Sequence, residues 1–228
     1  MNKTEILTHL KTLENPSRQK TNRKLGVEME QYGVPMTNLR TLAKQLKTQH
    51  TLRLELWNTP VFEAMILGVM LIDPKQVTLE QALMLLEKAE NVVLVDELSF
   101  KLFRKIESRQ QLFEQLRTVE NPLFVRAGWN VAVGLVLDDS YNQQQLESLL
   151  TTIEKQLVDA HPDVQWAMNR CLAEIGIKYE MYRQQVLELG LKLGVYKDQK
   201  VPKGCTSAYV VDWIPAVVSR KAAKGGKR

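Results

Sequence analysis

Glu63, Asp96, Arg126 and Arg170 each stand alone as a charge on a stretch that is otherwise largely apolar. Asp96 lies in NVVLVDELSF, with Val92, Val93, Ser99 and Phe100 about one helical turn away. A carboxylate in such surroundings is partly desolvated and interacts strongly with any cation beside it. It can stabilise positive charge that develops during a reaction. It can equally steady an early helical turn through the macrodipole.

Arg126, Asn130 and Gly134 form a stripe at spacing four in Val119–Asp139, VENPLFVRAGWNVAVGLVLDD. A lone guanidinium there must be paired, or must open onto a surface that uses it. A structural salt bridge and a positively charged groove both satisfy that condition. Arg170 follows Trp166 by one turn, which allows a stacked Arg–Trp pair or leaves Trp166 as an ordinary rim or core aromatic. Glu63 is expected to partner a neighbouring basic residue.

The elements that carry these residues read as helices. Residues 3–13 are amphipathic, and Ser17–Glu30 carries Arg18, Lys20, Arg23 and Lys24, a solvated face or a phosphate-contacting one. Tyr32-Gly33-Val34-Pro35 is a stop and turn before a helix over Met36–Lys47. Further helices are expected over Leu52–Trp57, Val61–Ile72, Leu79–Lys88, Asn91–Ile106, Glu107–Arg117 and Leu123–Leu137. The series continues with Asn142–Val158, a helix after Pro162 with Val164, Ala167, Met168, Cys171 and Ile175 on its apolar side, Tyr179–Leu193, and a last helix from near Ser207.

No stretch alternates at period two, so no sheet is expected. A buried helix repeatedly follows a more amphipathic one, with Pro60, Pro122 and Pro162 opening inner helices. Recurrence of helix pairs roughly every 30–40 residues is the pattern of an all-α superhelix of HEAT-like repeats. In such a curved solenoid the four isolated charges would project into a concave groove. An irregular globular helical domain is the alternative. One repeat domain is expected over residues 1–218, with a basic, frayed tail over residues 219–228.

Composition narrows the function classes. Net charge is +5, a mild basicity that suits a polyanionic partner. Cys171 and Cys205 are too few and unpatterned for a disulfide framework or zinc site, and His9, His50 and His161 lack metal-ligand spacing. No metal and no cofactor are therefore expected. No apolar run reaches about 18 residues and no signal-peptide core opens the chain, which points to the cytoplasm rather than a membrane.

Several stretches together resemble the AlkD-like DNA alkylation repair proteins, built from HEAT-like repeats. They are Tyr32–Leu46, Leu54–Leu71, NVVLVDELSFKL at Asn91–Leu102, the Arg126 helix, HPDVQWAMNRCL at His161–Leu172, and GVYKDQKVPKGCTSAYVVDWI at Gly194–Ile214. The resemblance runs from about Leu10 to Ile214 and implies double-stranded DNA, damaged or branched, as the partner of a monomer. Active members of that family are metal-independent DNA N-glycosylases that remove N3- and N7-alkylated purines. By motif position Asp96 matches the family carboxylate and Arg126 the arginine of the following inner helix. Arg170, Asn130 and Trp166 join Arg126 as expected DNA contacts. The chain departs from the family at two aromatic positions. Val92 stands where the family has its first groove tryptophan, and Arg170 where the second falls. Two readings stay open: a glycosylase in which Asp96 is catalytic, and a non-catalytic HEAT-repeat module that binds DNA or a protein.

Overall fold

The computed structural model describes residues 1–46 and 50–225. Within them the chain is all helical, and an isolated parallel bridge between Glu30 and Val61 is the one extended pairing among the described residues. It falls into two compact units, Met1–Leu116 and Arg117–Arg228.

The first unit holds α1 (Lys3–Thr12), α2 (Pro16–Lys24), α3 (Met36–Leu46), α4 (His50–Trp57), α5 (Phe62–Met70), α6 (Leu79–Glu87), α7 (Val92–Lys101) and α8 (Arg109–Leu116). Helices α3, α5 and α7 pack side by side, while α4 lies on α5 and α6 on α8. Starts are set by side chains that accept backbone N–H groups, as Asn2, Asn15, Thr78 and Asn91 do for α1, α2, α6 and α7. Leu39, Leu56, Ile66, Leu67, Leu94 and Leu98 fill the core.

Helix α7 is shorter than the Asn91–Ile106 periodicity predicts: it stops at Lys101, and Phe103–Lys105 forms a 3-10 turn that buries Phe103. Pro60 also lies outside its expected helix, because α5 begins only at Phe62. The N-cap residue there, Val61, has no side chain able to cap. The Phe62 N–H is satisfied instead by the carbonyl of Glu30 at 2.8 Å.

That crossing chain corrects the expectation for Glu63. The residue is 1% exposed and faces no groove. Its carboxylate accepts the backbone N–H groups of Tyr32 (2.9 Å), Gly33 (2.7 Å) and Val34 (3.2 Å). Three convergent peptide dipoles take the role that the sequence assigns to a basic side chain.

The second unit holds α9 (Pro122–Leu137), α10 (Gln143–Gln156), α11 (Pro162–Lys178), α12 (Glu180–Leu193) and α13 (Val210–Gly225). Helices α9 and α11 pack against each other, α13 joins α11, and α10 and α12 also pack on α11. Pro122 and Pro162 do occupy the first turns of their helices, where a missing N–H costs nothing. Residues 126–136 of α9 are buried without interruption, as expected of a helix apolar on nearly every face. Its C-terminal carbonyls are capped from α11: Lys178 donates to Leu137 and ion-pairs with Asp139 at 2.8 Å, and the Tyr179 hydroxyl donates to Val136 at 3.2 Å.

Helix α13 continues to Gly225, so residues 219–225, expected as part of a frayed tail, are helical. Ala, Lys and Arg are strong helix formers, and the Arg220 guanidinium adds bonds to the Ala216 carbonyl and the Thr206 hydroxyl. Residues 226–228 of that tail lie outside the described residues. Among the described residues, no helix is long and apolar enough to cross a membrane.

Candidate functional site

In the first unit the residues of interest sit on α7. Asp96 is half-buried, with Val92, Val93 and Phe100 half-buried on the same helix. Beside it stands an acid that the sequence reading missed. Glu97 has one carboxylate oxygen buried with no hydrogen-bond partner among the described residues. Burial pushes its carboxyl above the ordinary range, Lys101 and Arg40 act in the opposite direction, and the charge of Asp96 adds to the rise. Position alone gave no warning of this, since an acid next to an acid reads as a solvated pair.

The direction of that shift has a consequence for stability. A folded-state value above the unfolded one means that the folded chain binds the proton more tightly. The contribution of Glu97 is fully present below the ordinary value of 4.5 and is lost as pH rises through the raised folded value. Glu97→Gln should therefore gain stability relative to wild type between pH 4 and pH 8, measured by urea unfolding at several pH values. A difference that does not change with pH would count against this assignment.

In the second unit the structure gathers residues that the sequence had left apart. Arg126, on α9, is 6% exposed, and one guanidinium nitrogen donates to the Asp163 carbonyl at 2.7 Å in the first turn of α11. One turn further along α11, Trp166 is 36% exposed. Its ring meets the edge of Tyr196 at 5.7 Å between centroids and stacks with Trp213 of α13 at 6.3 Å and 28°. Tyr196 feels both neighbours: burial raises its hydroxyl, Arg126 opposes the rise, and Asp163 adds to it. Arg126, Asp163, Tyr196, Trp166 and Trp213 thus form one continuous cluster.

The loop that closes this cluster is held from below. Asn169, buried on α11, donates its amide N–H to the Ala208 carbonyl at 2.9 Å. Tyr196 itself has φ of 64°, a left-handed conformation uncommon for a bulky residue. The sequence reading reached Arg126 and Trp166 but not Tyr196 or Trp213. The two missed aromatics lie in or beyond a loop, where no periodicity assigns a side chain to a face.

Arg170 is half-buried on α11, one turn after Trp166, and Trp213 stacks with that indole. Asn130, on the same stripe as Arg126, is 1% exposed and lies within the packing of the second unit, where α9 is enclosed. Among the described residues no group of three His, Cys, Asp or Glu side chains is placed to hold a metal ion. Cys171 is buried, and burial pushes its thiol far up; Cys205 is exposed.

A solved structure described as "a new family of proteins related to the HEAT-like repeat DNA glycosylases with affinity for branched DNA structures" is similar at a TM-score of 0.83 and 17% identity. The match covers 99% of this chain and 95% of that one. At that identity the likeness establishes the fold, which is of the HEAT-like repeat type. No curated protein matched the sequence. The model of the family described as DNA alkylation repair enzyme matches residues 6–198. Since that span is most of the sequence, the chain belongs to the DNA alkylation repair enzyme family.

Proposed function

We propose that this protein binds double-stranded DNA, damaged or branched, as a DNA alkylation repair protein acting as a cytoplasmic monomer without metal or cofactor. The observation that carries the reading is the cluster on α9, α11 and α13, where a guanidinium stands beside aromatic rings that reach the surface. Arg and Lys side chains hold phosphate oxygens, and aromatic faces accept bases. The family match and the affinity of the structurally similar protein for branched DNA support the same partner.

Arg170, half-buried beside Trp166, supplies charge to the backbone of the bound strand. Arg126 acts at the same place and also holds the first turn of α11 through its bond to Asp163. Affinity for duplex DNA should fall linearly with the logarithm of salt concentration. Arg170→Ala should weaken binding evenly across sequences and reduce that slope by about 1, measured by fluorescence anisotropy over a salt series. Failure to bind any duplex at low salt would remove the proposal and leave a protein-interaction scaffold.

Asp96 favours a second, narrower reading, in which the protein excises alkylated bases. The half-buried carboxylate lies among apolar residues, where it acts on a nearby cation with little screening. An N-alkylpurine already carries positive charge. As its glycosidic bond breaks, the bonding pair leaves with the base and positive charge develops on the sugar, to which water then adds. Asp96 would stabilise that charge electrostatically. Val92 offers no aromatic face to the cationic base, and Arg170 would repel it. Release of 7-methylguanine above spontaneous depurination, lost in Asp96→Asn, would establish this reading. Binding without release would leave a non-catalytic DNA-binding module.

A further inference from the structure

Beside the Trp166–Trp213 stack the surface opens into a pocket of about 340 Å³ lined by both tryptophans, Gln199, Lys200, Pro202 and Ser207. The volume falls within the roughly 300–1,000 Å³ of small-ligand sites. Its floor is α11 and α13, and its wall is the loop between α12 and α13. From Gly194 to Tyr209 that loop carries Lys197, Lys200 and Lys203 against a single acid, Asp198. Residues 197–206 are exposed throughout. Three separate bonds nevertheless fix its course. Asn169 holds Ala208, Arg220 holds Thr206, and the Ser207 hydroxyl accepts the Tyr209 N–H at 3.0 Å. Tyr196, in its left-handed conformation, abuts Trp166 edge-on. Strained residues of this kind gather at ligand clamps.

Flat aromatic walls, a cationic rim and a volume for one small planar group select a particular occupant. We propose that this pocket is a stacking site for one unpaired nucleobase of a DNA strand, held against Trp166 and Trp213, with Lys200 on the adjoining phosphate. A base at a bulge, gap or branch point is already unstacked, so it enters without the cost of opening a pair. The proposal rests on the DNA-binding reading above. It adds that the protein distinguishes DNA by the presence of an unpaired nucleotide.

The test compares a fully paired duplex with the same duplex bearing one unpaired adenine. Wild type should bind the second about tenfold more tightly, the scale of one base stacked on an aromatic side chain. In Trp213→Ala and Trp166→Ala the ratio of the two affinities should fall towards one, while Trp166→Phe should keep most of it. Lys200→Ala should lower the ratio less. Trp57 and Trp129 are buried, so quenching of indole fluorescence on binding the bulged duplex reports the two pocket tryptophans. Equal affinities for the two DNAs in wild type would overturn the stacking site and leave duplex binding intact. So would a tenfold ratio that survives in both alanine variants. Absence of binding to either DNA would overturn the DNA-binding reading, and the stacking site with it.

Discussion

Glu63→Ala is expected to be among the most destabilising substitutions in the first unit. The carboxylate accepts three backbone N–H groups at 2.7–3.2 Å from Tyr32, Gly33 and Val34. Gly33 and Val34, like Glu63, lie where water does not reach. Removal leaves those donors without an acceptor, and each buried unsatisfied group costs about 1–3 kcal/mol. Relaxation recovers part of this, so the net loss should be about 3–5 kcal/mol, in the exceptional range for a point change. Glu63→Gln keeps the shape and one acceptor oxygen but turns an N–H₂ toward N–H donors, and should cost an intermediate amount. The measurement is urea unfolding followed by circular dichroism. A loss below about 1 kcal/mol would mean that the segment at residues 32–34 finds other partners.

Gly33→Ala should cost a comparable amount by a different route. Gly33 has φ of 74°, and a Cβ there would lie 2.3 Å from the Asn15 carbonyl oxygen and 2.9 Å from the Gln19 backbone N. Both obstacles are main chain, on the first turn of α2, and neither can rotate away. The left-handed conformation adds about 1–2 kcal/mol for any residue with a Cβ. Displacing the chain would also pull the N–H groups off Glu63, so a total on the order of 3 kcal/mol or more is expected. Gly26 provides the control. Its φ is 81°, yet nothing lies within 4 Å of an added Cβ. Gly26→Ala should show the conformational cost alone, about 1–2 kcal/mol. Equal losses at both positions would mean that contact with Asn15 and Gln19 contributes nothing. Combined with Glu63→Ala, Gly33→Ala should be markedly non-additive, because both changes break the same arrangement.

The helices were legible because their cause is local. Apolar residues at a period of 3.6, proline at the starts of α9 and α11, and Asn or Thr caps lie within a few residues of what they determine. The enclosure of α9 followed from its apolar circumference. The same logic failed at α5, whose start is set by a carbonyl from another part of the chain rather than by Pro60. It failed again at the end of α7, where the periodicity continues but burial of Phe103 turns the chain aside.

What the buried polar side chains do was decided by tertiary structure. Glu63 meets donors 30 residues away, Arg126 meets a carbonyl 37 residues away, and Asn169 holds one 39 residues away. Every one of these partners is a backbone group. All non-proline residues carry the same N–H and C=O, so such a partner leaves no trace in residue type. Asn130 shares a stripe with Arg126, and which way that stripe faces depends on how closely α11 approaches. An all-helical chain with HEAT-like recurrence, and the stretches that carry its family resemblance, follow from residue types alone, because these are properties of neighbouring residues. Only the tertiary structure could bring Tyr196 and Trp213 to Trp166, since stacking requires three segments to be folded before any two rings meet.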